Sequence, residues 1–176
     1  MDRLLFLFLI ALMLAITAAV WDVRQHRIPN WITLPGIVAG MVLRSALLGW
    51  KGFVGSVTGC LLAGGVLLLF YLVRAMGAGD VKLMAAIGSF VGLGQAMNIV
   101  LAAAICGGII GIVYALYRGR LWSTIKNVAS LLKFHAWAGM QPHPDLNLEN
   151  PEVLRMPYGL AIALGTSYVF LTMCWR

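Results

Sequence analysis

The chain is 176 residues long, 61% hydrophobic and only 11% charged, with a formal net charge of +7. A water-solvated globular domain carries about twice that charged fraction, which excludes the ordinary soluble classes. The basic residues lie in short loops between apolar blocks and form no patch on one element, so no nucleic-acid partner is expected and the lipid bilayer is.

Six apolar segments follow one another, at about 4–21, 32–49, 53–75, 81–97, 98–117 and 157–174. Each approaches the roughly 20 residues that cross a bilayer as a helix. The first has the outline of a cleavable signal, with Arg3 ahead of an apolar run ending in Ala18-Ala19. The segment after it, Trp21-Asp22-Val23-Arg24-Gln25-His26-Arg27, is basic and resists translocation, whereas Asp2 and Arg3 nearly cancel. The expectation is a retained helix with its N-terminus outside. Glycine pairs spaced GxxxG occur at Gly36/Gly40, Gly55/Gly59, Gly88/Gly92 and Gly107/Gly111, a pattern that lets membrane helices approach closely. The fourth and fifth segments are divided by Gly92, Gly94, Gln95 and Asn98 alone.

A loop at about 118–156 precedes the last segment. In it Leu121, Ile125, Val128 and Leu132 recur at helical spacing, with Lys126, Asn127, Ser130 and Lys133 off that stripe. Such a pattern predicts an amphipathic helix lying in the membrane interface. The rest, from Gln141-Pro142-His143-Pro144 to Pro151, reads as irregular loop. On this topology Arg24, Arg27, Arg74, Lys82, Arg118, Arg120, Lys126, Lys133 and Arg155 fall on one side. Arg3, Arg44, Lys51 and Arg176 fall on the other. Nine against four marks the first side as cytoplasmic and puts both termini outside. The fold expected is all-α: a polytopic membrane helix bundle of about six transmembrane helices plus a cytoplasmic interfacial amphipathic helix, with residues 1–176 forming one domain.

Cys60, Cys106 and Cys174 are isolated and form no CxxC pair, so neither a zinc site nor a disulfide framework is indicated. His135 and His143 read as solvated loop residues. No metal and no cofactor are expected.

Of the six acidic residues, Asp2 is terminal and Asp145, Glu149 and Glu152 belong to the long loop. Asp22 and Asp80 alone stand at the edges of membrane helices, where ionisable groups are costly and usually functional. Asp22 closes the first segment and Asp80 opens the fourth. Two spans separate them, so the chain crosses and returns, and both carboxylates come to one side at similar depth. Such a pair suits peptide hydrolysis, since close carboxylates do not readily both ionise and can divide the roles of base and acid. On helix-dipole grounds Asp80, at a helix start, is the expected resting base and Asp22, at a helix end, its protonated partner. Structural readings stand beside this one: Asp80 as a helix N-cap, and Asp22 paired with Arg24 or Arg27. A relay for a proton-coupled transporter or channel subunit is the alternative function, although relays usually place their acids nearer the bilayer midplane.

Three stretches carry a family resemblance. Gly77-Ala78-Gly79-Asp80-Val81-Lys82-Leu83 resembles the GxGD signature of intramembrane aspartic peptidases, in which Gly77 and Gly79 would supply a tightly turning active-site backbone. Asp22 through Ile28-Pro29-Asn30 is similar to the first-aspartate region of bacterial type IV prepilin peptidases, and Pro157-Tyr158-Gly159-Leu160 to the entry of their last helix. The resemblance implies cleavage of the basic leader from type IV prepilin or pseudopilin precursors at the cytoplasmic face of the bacterial inner membrane, with Asp22 and Asp80 as the catalytic pair. The segment after the first helix is short and has no cysteine, so the chain resembles the peptidase-only form of tight-adherence (Flp) pilus systems, without methyltransferase activity.

Overall fold

The computed structural model describes residues 2–119, 121–139 and 157–175. Six helices follow in order: α1 Asp2–Gln25, α2 Asn30–Leu72, α3 Ala78–Val91, α4 Leu93–Tyr117, α5 Leu121–Ala138 and α6 Tyr158–Cys174. The described residues form no strand. Three helices are long and apolar enough to cross a membrane: α1 from Arg3, α2 and α4. Helix α6 is apolar but shorter. The protein is a helical membrane bundle.

Helix α2 counts twice. Its 43 residues would reach about 64 Å if straight, but Gly49 (φ 63°, ψ −148°) leaves helical geometry and turns the chain back. Packing proves the reversal. Gly36 lies against Ala86 and Gly64 against Ala85, although 28 helical residues would hold those two glycines about 42 Å apart. The hairpin therefore clasps α3 from two sides, as two of the expected spans. The turn is tighter than the gap read between 49 and 53, because glycine adopts positive φ without steric cost.

The boundary between α3 and α4 is a correction. Gly92, at φ 76°, ends α3, and α4 begins at Leu93, about five residues before the expected break. Arg44 sits in this corner and donates from Nη1 to the Phe90 carbonyl at 2.7 Å. A basic group there answers the unsatisfied carbonyls and the negative end of the helix dipole. Gln95 and Asn98 looked like loop residues, yet both lie in the first turns of α4, and the Asn98 amide donates to Gln95 Oε1 at 3.2 Å. Gly92 is thus a helix terminator, and with Gly88 it also packs on Gly59, where a Cβ would stand 2.8 Å from the Gly92 Cα.

Elsewhere small residues do bring backbones together. A Cβ on Gly59 would overlap the Gly88 carbonyl oxygen, and one on Gly88 would overlap that of Gly59. Since the obstacle is backbone on both sides, Gly59→Ala should cost about 1–3 kcal/mol through overpacking. Thermal unfolding in detergent checks this against Gly94→Ala, where a Cβ would meet nothing within 4 Å.

The core is built where α1, α2, α3, α4 and α6 face each other, with Ile32, Ala63 and Leu67 of α2 among its buried side chains. Phe8 of α1 meets Phe170 of α6 at 5.6 Å between ring centroids, and Gly165 of α6 lies on the Ala103 backbone of α4. Among the described residues α5 packs against α4 alone. Its Trp122, Ile125 and Val128 are exposed, and Lys126 lies 5.7 Å over the Trp122 ring. The loop read at Gln141–Pro151, with His143, Asp145, Glu149, and then Glu152 and Arg155, lies outside the described residues, as does Arg120. So does the side chain of His135.

Candidate active site

Each aspartate continues the buried stripe of its helix. On α1 Phe8, Ala11, Ala15 and Ala18 are buried at three- and four-residue steps, and Asp22 is the next member. It is 6% exposed, a low value for a carboxylate. On α3 the buried series Met84, Ile87 and Phe90, followed back one turn, arrives at Asp80. The same periodicity that packs the core therefore aims both side chains inward, from the last turn of α1 and the first turn of α3.

The start of α6 and the middle of α4 meet there. The backbone N–H of Gly159, in the first turn of α6, donates to Asp22 Oδ2 at 2.9 Å. Residues 137 apart in the chain meet in this bond. Asp22 and Asp80 lie within electrostatic reach of one another, and the Tyr158 phenol within reach of Asp80. The Tyr158 ring rests on Gly107 of α4, where a Cβ would stand 2.7 Å from Cε2.

The loop between α1 and α2 closes the site. The His26 N–H donates to the Asp22 carbonyl at 2.7 Å, with His26 at φ 51°. Ile28 then turns inward against Gly79, where a Cβ would stand 3.0 Å from the Ile28 Cβ and 3.3 Å from its carbonyl oxygen. An alanine at 79 would require this loop or the Asp80 turn to give by a few tenths of an ångström. Lys82 Nζ donates to Asn30 Oδ1 at 2.8 Å, joining α3 to the start of α2. Trp21 and Trp31 meet edge-on beside it, 5.4 Å between centroids.

The site differs from expectation in two respects. Asp80 is not the N-cap of α3: Gly77 is, and Asp80 stands three residues inside, its Oδ2 turned back to within 3.2 Å of where a Gly77 Cβ would be. The dipole argument that separated the two aspartates also lapses, because Asp22 gains the N-terminus of α6 through Gly159. Arg24 and Arg27 are exposed, while the Asp22 carboxylate points inward. Among the described residues no three His, Cys, Asp or Glu side chains gather as a metal-binding group.

Gly159 and Asn30 stand in the sequence only as parts of recognisable stretches, and Lys82 as one of the basic residues that mark the cytoplasmic side. Their presence in those stretches, next to the aspartates or at a helix entry, was the available signal.

The type IV leader peptidase family model matches residues 7–112, more than half of the chain and both aspartates. The chain belongs to the type IV leader peptidase family. Two curated relatives, each named prepilin leader peptidase/N-methyltransferase, come from Burkholderia pseudomallei strains 1026b and K96243. Each is 34% identical over 123 residues, covering 64% of this chain and 38% of the relative. The chain thus spans well under half the length of these relatives. No solved structure matches the chain.

Proposed function

We propose that this protein is a membrane-embedded aspartic endopeptidase that removes the leader from type IV prepilin-like precursors at the cytoplasmic face of the bacterial inner membrane. One observation carries the reading: two carboxylates, delivered by the end of α1 and the start of α3, share one end of the bundle within reach of each other's charge. Family membership and the names of the relatives support the substrate class.

The chemistry follows from two close carboxylates that share a proton. The ionised one takes a proton from water as the water oxygen bonds to the scissile carbonyl carbon. The protonated one donates to the carbonyl oxygen as the π electrons move onto it. Collapse of the tetrahedral species then breaks the C–N bond: the amine takes the proton that the first carboxylate removed from water, and one hydroxyl of the diol returns a proton to the second. Gly159 holds Asp22 in place through its N–H. Purified protein mixed with a prepilin from the same genome should release leader and mature pilin; an uncut precursor would refute the proposal.

The cytoplasmic placement rests on the nine-to-four distribution of basic residues. With Cys60, Cys106 and Cys174 replaced by alanine, a cysteine at exposed Gln25 should be shielded from an impermeant thiol reagent in intact cells, and one at exposed Lys51 should react. Labelling at position 25 and not at 51 would turn the protein over.

A further inference from the structure

The two aspartates are carried by elements that are separate in sequence, so something has to fix the distance between them. Asp22 is followed within one turn by the segment 26–30, the loop after α1 and the first residue of α2, which is bonded back to it through the His26 N–H. Asp80 belongs to the same helical turn as Gly79 and Lys82. That turn meets the loop at two points, Gly79 against Ile28 and Lys82 Nζ to Asn30 Oδ1 at 2.8 Å. The first contact is van der Waals and sets only how near the turn can come. The second is directional and fixes where along the loop the turn sits.

We infer that the Lys82–Asn30 hydrogen bond is a positioning clamp that sets the spacing of the Asp22 and Asp80 carboxylates, joining the loop after Asp22 to the turn that carries Asp80. Neither residue acts on the substrate. Both lie at the accessible rim, where a hydrogen bond contributes little to global stability. Its effect is geometric: catalytic groups misplaced by about 1 Å lose rate steeply. The bridge spans 52 residues and links the two aspartate-bearing stretches of the sequence by a side-chain bond. This inference rests on the peptidase reading and adds to it two residues with a stated job.

The test uses the full chain in detergent with a leader-bearing prepilin, comparing parent, Lys82→Met, Lys82→Arg, Asn30→Leu and the Lys82→Met/Asn30→Leu double variant. Lys82→Met should lower kcat roughly tenfold with KM and melting temperature near parental. Lys82→Arg, which keeps a donor able to reach Asn30, should recover most of the loss. Asn30→Leu should match Lys82→Met, and the double variant should be no slower than either single one, because both remove the same bond. Parental kcat in Lys82→Met, a rise in KM in place of the fall in kcat, or fully additive losses in the double variant would overturn the clamp. These outcomes are distinct from failure of the peptidase reading, which shows as an uncut precursor with the parent itself.

Discussion

Asparagine at position 22 or at position 80 should each reduce prepilin cleavage by at least 10²–10⁴-fold, the usual contribution of general acid–base participation. Either change alone suffices, because the two carboxylates perform one step between them and their losses do not add. Asn keeps the size and shape of Asp and replaces one oxygen with an N–H₂ group that can neither accept nor release the proton. At position 22 the remaining amide oxygen can still accept from Gly159 N–H, so the junction of α1 with α6 survives. At position 80 the residue stands at the third position of α3 and accepts from the Gly77 backbone N–H, a bond that the amide oxygen of Asn can still accept. Both variants should therefore insert and melt like the parent. Rates from a gel assay of precursor against mature pilin, beside melting curves in the same detergent, check both halves of this expectation. A cleavage loss tracking a stability loss would assign the aspartates to folding.

Gly159→Ala should be the next most damaging change, with kcat lowered on the order of 10–100-fold and the fold retained. A Cβ there would lie 2.9 Å from Asp22 Oδ2, 3.1 Å from its Cβ and 3.3 Å from its Cγ. All three contacts belong to Asp22, one of the two side chains that the reaction uses, so relief comes either from turning Asp22 aside or from moving the first turn of α6 with Tyr158. Gly108→Ala on α4, where nothing lies within 4 Å, is the matched control and should be indistinguishable from the parent. Equal activity in the two variants would show that the Gly159–Asp22 junction is not held in the working enzyme.

Much of this arrangement was legible from residues. Counting spans between Asp22 and Asp80 brings both to one side whatever the exact boundaries, because two crossings return the chain. The reversal inside α2 was legible as two spans for the same reason of length. The α3–α4 boundary was not, since Gln95 and Asn98 read as loop by polarity while the break depends on the positive φ of Gly92. The partner of Asp22 was hidden for a different reason. A backbone N–H 137 residues away leaves no side-chain signature, and a glycine in an apolar run resembles the packing glycines that surround it. That contact also removed the basis for naming a resting base, which had counted only each aspartate's own helix. The Lys82–Asn30 bond has no periodic signal either, because it joins the first turn of α3 to the first residue of α2.

The most direct measurement is conversion of a full-length cognate prepilin by purified protein in detergent, with no membrane potential, followed by mass determination of the new N-terminus. A proton relay has no work to do in that assay, so it separates hydrolysis from transport. Parent protein should cut once, between the basic leader and the hydrophobic helix, and Asp80→Asn should leave the precursor intact. Clean processing by Asp80→Asn, or an uncut precursor with the parent, would contradict the carboxylate-pair mechanism.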